Sequence, residues 1–401
     1  MDLLPDLRGL LVVVTVAALA PVISSMIPGR RVPQVVMLIL GGVIVGPEVL
    51  GWANPDQVAL IADVGLAFVF LLAGFEIEPL TLLAAPGRLA ITSWVVSAAL
   101  ALAVVGLLAA TGFVHAYVPV ALALTTTALG TLIPILREKR LLDTAFGRQF
   151  LAVGAVGELF PIIAIALFLG VQSRFAAVVS LVVIAVVAVS LGLLARLRVG
   201  RHLARVVNDA ADGTGQANLR WSMVLLLALV VLAGEFGLDV VLGAFLAGAV
   251  LRHWSPPGSH LFETKLDAVG YGFFIPVFFV SSGMGIDIAS IRESPARLLV
   301  FVLLLLAVRG LPVLAIYRGV LPMRPRVALM LCTATTLPLI VALTEIGLAS
   351  GTMLPENAAA LVGAGVVSVL LFPLIGTHLA SGSEPVETVE PVQLPDERAG
   401  T

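Results

Sequence analysis

Residues 149–173 read QFLAVGAVGELFPIIAIALFLGVQS, a 25-residue apolar stretch with one ionisable side chain, Glu158. Its length matches the roughly 20 residues that an α-helix needs to cross the hydrocarbon core of a bilayer. A charge at the centre of such a helix costs at least about 2.5–3.5 kcal/mol on insertion scales, so a residue of this kind is expected to serve function rather than structure. The whole 401-residue chain has the same character. It is 60% hydrophobic and only 12% charged, about half the charge of a soluble domain. Repeated apolar runs make it an all-α polytopic membrane protein.

Hydropathy, with glycine, proline and charge as punctuation, predicts about 13 transmembrane helices. They lie near residues 7–28, 33–49, 58–77, 88–112, 115–136, 147–172, 174–195, 220–237, 239–252, 268–285, 297–317, 326–349 and 356–380. Seventeen Lys and Arg residues fall in odd-numbered connections, against Arg8, Arg174, Arg292 and Arg297 on the other side. Basic loops stay cytoplasmic, so the N-terminus is expected outside and the C-terminus inside, in a plasma (inner) membrane. The first apolar run lacks the flanks of a cleavable signal peptide. The polar segment 381–401 reads as a short disordered tail. The net charge of −2 argues against nucleic-acid binding, and the single cysteine, Cys332, reads as a packed core thiol.

The second half of the chain echoes the first at an offset of about 206–209 residues. Leu40-Gly41-Gly42 matches Leu246-Ala247-Gly248, and Gly74-Phe75-Glu76-Ile77-Glu78 matches Gly283-Met284-Gly285-Ile286-Asp287. Ala121-Leu122-Ala123-Leu124-Thr125-Thr126 matches Ala328-Leu329-Met330-Leu331-Cys332-Thr333. Each offset spans seven helices, an odd number, so the halves sit with opposite orientation. The reading is one transmembrane domain, 1–380: repeat one about 7–172, a linker helix about 174–195, and repeat two about 220–380. Inverted repeats are a mark of secondary transporters, whose sites lie near the midplane at the repeat interface.

The fifth and twelfth spans each carry a mid-span threonine cluster followed by a proline. These are Thr125, Thr126, Thr127 and Thr131 before Pro134, and Thr333, Thr335 and Thr336 before Pro338. Proline removes a backbone donor, and unwound backbone at membrane depth is tolerated only against protein or a polar cavity. Two crossed discontinuous helices are therefore expected, with Thr126, Thr127, Thr335 and Thr336 near the site. Pro161 likewise frees the carbonyl of Gly157 beside Glu158, a hard-oxygen setting suited to Na+, K+ or H3O+ rather than a transition metal. Arg309 is the second buried charge, expected to face the interior with Glu158 as its partner, either as a brace or as a modulator of the site. Glu76, Glu78, Glu235, Asp287 and Glu345 lie near helix ends, where solvated or capping roles are expected. No phosphate-binding glycine loop, nucleophile elbow or redox cysteine pair points to an enzyme, and no cofactor is expected.

At these residues the chain resembles the monovalent cation:proton antiporter superfamily, with the Na+/H+ exchanger fold, closest to the branch that includes Kef-type potassium efflux proteins. The resemblance runs over about residues 30–380. It is carried by Arg31-Val32-Pro33-Gln34 leading to Gly46-Pro47, and by the run from Thr125-Thr126-Thr127-Ala128 through Arg137-Glu138, Leu141-Leu142-Asp143-Thr144 and Phe146-Gly147-Arg148. Gly243-Ala244-Phe245-Leu246-Ala247-Gly248 and Phe278-Phe279-Val280-Ser281-Ser282-Gly283-Met284 add to it. The resemblance implies exchange of Na+ or K+ for protons, with Glu158 as shared carrier of cation and proton, Arg309 as the basic residue of the eleventh span, and a scaffold that makes a homodimer. Two features depart from the family. Gly157 stands where members have a polar residue before the acid. Thr335-Thr336-Leu337-Pro338 replaces an acidic motif of Kef-type members. With no nucleotide-binding domain after the last span, Kef-type ligand gating is not expected. One carboxylate in the site implies electroneutral exchange. The alternatives are a sodium-coupled organic anion symporter of related fold, or a channel or sensor without transport.

Overall fold

The computed structural model describes residues 3–26, 33–76, 85–114, 117–168, 174–194, 216–238, 240–254, 260–293 and 295–380. The expected tail and the 195–215 connection lie outside these residues, as does Glu78. Among the described residues the regular structure is helical. Among these residues nine helices are long and apolar enough to cross a bilayer, and three shorter apolar ones accompany them. The chain is a multi-pass membrane protein.

The helices run α1 Leu3–Met26, α2 Gln34–Val45, α3 Ala59–Glu76, α4 Ala85–Ala110, α5a Tyr117–Ala123 and α5b Leu129–Glu138, α6 Ala145–Phe168, and α7 Arg174–Leu194. The second half runs α8 Ala217–Glu235, α9 Val240–Trp254, α10 over 260–284, α11 over 295–316, α12a Met323–Thr333 and α12b Pro338–Ala349, and α13 Pro355–Ala380. Helix α10 begins about eight residues before its expected start. Its first turns carry Glu263, Lys265 and Asp267 and are too polar for a hydropathy reading to find. Helices α4 and α8 end where Gly112 and Gly237 take φ of +77° and +65°. The N–H of the residue after each glycine, Phe113 or Leu238, reaches back to Leu108 O or Ala233 O, a closure that an L-residue with a Cβ at the glycine position adopts only with strain.

Helices α10 and α11 each widen into a π-helical stretch, Gly270–Phe274 and Leu305–Gly310, just before Pro276 and Pro312. A proline cannot donate to the carbonyl four residues back, and a wider turn absorbs that defect without breaking the helix. Arg309 lies in the second of these stretches.

Two groups of helices result. In one, α2 packs on α10 and α9 on α3, with α1 against α2 and α8 against α9. In the other, α4 packs on α6, α12a on α13 and on α6, and α11 on α13. The first group shows the two-fold relation most directly. A Cβ on Gly42 would strike the carbonyl oxygen of Val280, and one on Gly283 that of Ile39. Across the pseudo-axis, a Cβ on Gly248 would strike Leu71 O, and one on Gly74 would strike Phe245 O. Each contact is the other's repeat equivalent, at the offsets read from sequence. Small residues let backbones meet where no water-driven force holds helices together.

Adding one methyl group at this crossing should separate the pair. Gly42→Ala and Gly248→Ala are each expected to lower stability by about 1–3 kcal/mol, the usual cost of overpacking. Gly272→Ala, where a Cβ has nothing within 4 Å, should leave it unchanged. Thermal unfolding of the detergent-solubilised protein checks this.

Candidate functional site

The fifth and twelfth spans are interrupted as expected, at 124–128 and 334–337. The break in the fifth falls ahead of Pro134, which sits inside α5b, whereas Pro338 opens α12b directly. The unwound segments touch. Ala128 N–H donates to Thr335 O (2.8 Å), Thr127 Oγ1 donates to Thr333 O (2.7 Å), and Thr126 and Thr336 join through their hydroxyls. Because Thr126 gives its one hydroxyl hydrogen to Ala123 O, Thr336 is the donor of that pair. Thr336 is held further by Ser368, whose Oγ accepts from Thr336 N–H (3.1 Å) and bonds to Thr336 O (2.9 Å). Thr335 Oγ1 turns back to Leu331 O. The freed groups Ala128 N–H, Thr336 N–H, Thr333 O and Thr335 O thus have protein partners, as a bilayer interior favours.

Helix α6 passes Pro161 without a break. The carbonyl of Gly157, expected to be free, accepts instead from Thr127 N–H at 3.0 Å. The donor that Pro161 withholds is replaced by one from the broken helix, so the defect in α6 docks α5 and leaves no open ligand at Gly157.

Arg309 is fully buried. The expected pairing with Glu158 is corrected: among the described residues Arg309 makes no ion pair. Its Nε donates to Thr127 Oγ1 and its Nη2 to Val153 O, both at 3.0 Å. The physical reason is local. A Cβ on Gly157 would lie 2.5 Å from Arg309 Nη2 and 2.6 Å from Thr127 Oγ1. The space of the missing side chain holds the guanidinium, fixed on oxygens already committed to the helix crossing.

Glu158 is 6% exposed, and its Oε2 has no hydrogen-bond partner. It lines a cavity of about 30 Å³ between the two groups of helices. The other polar groups there are Glu76 of α3, Tyr271 of α10 and Thr131 of α5b, against an apolar wall that includes Ile275, Phe279 and Pro338. Thr126, Thr127, Thr335 and Thr336 do not line it, because their hydroxyls are engaged in the crossing and the backbone. Threonine spacing could indicate the break but not which hydroxyls face the cavity. Glu76 corrects another expectation. It ends α3, yet its Oε2 is buried and without a partner beside the cavity. Glu345 accepts from Ser282 (2.8 Å), and Cys332 is buried as expected.

If Thr127 anchors both Arg309 and the second broken helix, Thr127→Val should lower stability by about 2–3 kcal/mol, since a charged donor loses its acceptor. Thr127→Ser should restore most of it. An unchanged melting temperature for the valine variant would refute the anchor.

The comparisons with known proteins agree with this architecture. The family model described as "Sodium/hydrogen exchanger, transmembrane" matches residues 13–381. The putative Na+/H+ antiporter YjbQ of Bacillus subtilis is 28% identical over 95% of this chain and 64% of its own length. Cation/H+ antiporter 15 of Arabidopsis thaliana is 27% identical over 75% of this chain and 39% of its own length. The chain thus spans about two-fifths to two-thirds of these curated relatives. The Na+/H+ antiporter of Enterococcus hirae is 26% identical, covering 74% of this chain and 77% of that protein. In structure the chain is similar to the sodium proton antiporter MjNhaP1 of Methanocaldococcus jannaschii, with a TM-score of 0.59 over 92% of this chain and 96% of that one, at 17% identity. Crossed broken helices, a buried carboxylate without a partner at Oε2 and a family match over nearly the whole length lead to one conclusion: this chain belongs to the sodium/hydrogen exchanger transmembrane family.

Proposed function

We propose that the protein exchanges Na+ or K+ for protons across the membrane by alternating access, with Glu158 as the shared carrier. The observation that carries this is the Glu158 carboxylate, buried, without a partner and lining a cavity between two helix groups. A carboxylate in such a place is stable when a proton or a cation accompanies it, and it holds one or the other. Helices α4–α6 and α11–α13 form the moving bundle. Helices α1–α3 and α8–α10 form a scaffold, and a homodimer would place its interface there. The domain is read as 1–380, with repeats at about 7–172 and 220–380 around the linker helix, the N-terminus outside and the C-terminus cytoplasmic in the plasma membrane.

The cavity is small, about 30 Å³, and its polar lining among the described residues is two carboxylates and two hydroxyls with no basic side chain. That suits an inorganic cation better than an organic anion, and so favours exchange over a symporter of related fold. Arg309, bonded to Thr127 and Val153, acts as the brace of the crossing. Glu158 is the one carboxylate lining the cavity from the moving bundle, among the described residues. One charge then travels each way, and exchange is electroneutral.

In proteoliposomes carrying a pH dye, a Na+ or K+ gradient should drive proton flux with the membrane potential clamped at zero. Glu158→Gln should bring that flux to background, while Glu158→Asp keeps a reduced rate. Proton flux driven by potential alone in the wild type would sink the one-to-one exchange. Full activity in Glu158→Gln would sink the carrier assignment.

A further inference from the structure

The two groups of helices also meet at the end of the molecule away from the cavity. Helix α3 runs antiparallel to α10. A Cβ on Gly65 would meet Phe274 O and Phe278 Cβ, the Phe68 ring stacks on Phe274, and a Cβ on Gly270 would meet Leu72. Glu76, which ends α3, and Tyr271, in the first half of α10, thus lie toward one side of the membrane, and the cavity with Glu158 is at their level. Ser282 lies near the far end of α10, about 15 Å beyond Tyr271 along the helix. There its Oγ donates to Glu345 Oε1 at 2.8 Å. The serine belongs to the scaffold and the acid to α12b of the bundle, so this bond spans the boundary that alternating access must shift.

Each residue is fixed within its own group. Ser282 precedes Gly283, where α10 is pressed against Ile39 O in the backbone crossing with α2. Glu345 lies on α12b, whose entry at Thr336 is tied to Ser368 of α13 through both backbone groups. Neither side chain can follow the other when the two groups move. A hydrogen bond fails beyond about 3.5 Å, so a small displacement along the boundary breaks this one. Asp63, two residues before Gly65 on α3, is the other charge whose field reaches Glu345. It is a like charge and opposes the bond, which keeps the contact breakable.

We infer that Ser282 and Glu345 form a latch that closes the site on the side away from the cavity. The bond is made while Glu158 faces the cavity beside Glu76, and it is broken when the site opens to the other side. This rests on the exchange reading above, and with the basic loops cytoplasmic the latched side is the outside. The pair binds no cargo. Its two members are positioning residues that set how much of the protein is open to the cytoplasm, and the apparent affinity at each face scales with the fraction open to that face.

The test is exchange measured in right-side-out and inverted vesicles, with Na+ and then K+ varied on one face at a time. Losing one hydrogen bond from one of two states shifts their ratio by about five-fold. In Ser282→Ala and in Glu345→Ala the ratio of cytoplasmic to external KM should therefore rise by about five-fold. The double variant should rise no further than either single one, because both remove the same bond. Glu345→Gln keeps an oxygen for the serine hydroxyl and should stay near the wild-type ratio. If one alanine variant does not assemble, the other carries the test together with the glutamine variant. An unchanged ratio in the alanine variants, shifts that multiply in the double variant, or a glutamine ratio as high as that of alanine overturns the latch while leaving exchange itself intact. A slower rate at both faces with the ratio unmoved marks a merely structural contact and overturns it too. Absence of exchange in the wild type in both orientations would overturn the underlying reading, and this inference with it.

Discussion

A guanidinium sealed from solvent in the middle of a helical bundle is costly to bury, and how it is held decides much of the rest. Breaking a buried charged contact costs several kcal/mol, so its partners are not free to change. Arg309 is fixed by Thr127 and the Val153 carbonyl rather than by a carboxylate. Thr127 is also one of the three residues of α5 through which the unwound segments meet, and its N–H holds the Gly157 carbonyl. One threonine thus couples α5, α6, α11 and α12. The consequence for function is that no fixed cation is bonded to Glu158. A permanent Arg–Glu pair would neutralise the carboxylate. Holding the guanidinium on neutral oxygens leaves Glu158 free for the carrier role proposed for it.

The two helix groups differ in how they are bound together. In the scaffold, backbone meets backbone at Gly42–Val280 and Gly248–Leu71, and at Ile39–Gly283 and Phe245–Gly74. Contacts this close resist relative movement, because a packed surface has few arrangements of similar energy. Where the scaffold faces Glu158 there is a cavity instead, walled by apolar side chains of α3 and α10. A rigid frame that meets the other group across a small cavity, apolar surface and the Ser282–Glu345 hydrogen bond suits the sliding proposed for the two bodies. The two-fold relation adds that both end states can be built from equivalent contacts.

Much of the fold was legible from residues alone. Apolar length specified the spans, because each backbone polar group in a bilayer must be satisfied within its own helix. The start of α10 was not legible, since Glu263, Lys265 and Asp267 break the apolar signal. In the site, Glu158 stood out as a lone charge, and the threonine clusters marked the interruptions. What those threonines bond to was not legible. A hydroxyl bonded to Thr333 O and one facing a cavity are the same residue type at nearly the same spacing.

By itself, the sequence determined a membrane-spanning all-helical chain in two oppositely inserted halves, with broken helices and one intramembrane acid. These are matters of length, periodicity and internal likeness, and they survive any detail of packing. Tertiary structure alone decided which charges share a space. Glu76 and Glu158 are 82 positions apart, yet they line one cavity. Arg309, the expected partner of Glu158, is turned onto Thr127 instead. The reason is geometric. Pairing across a bundle depends on how far each helix is rotated about its axis and on where a missing side chain, here at Gly157, leaves room for a neighbour. Neither quantity is written in the local pattern of any one helix.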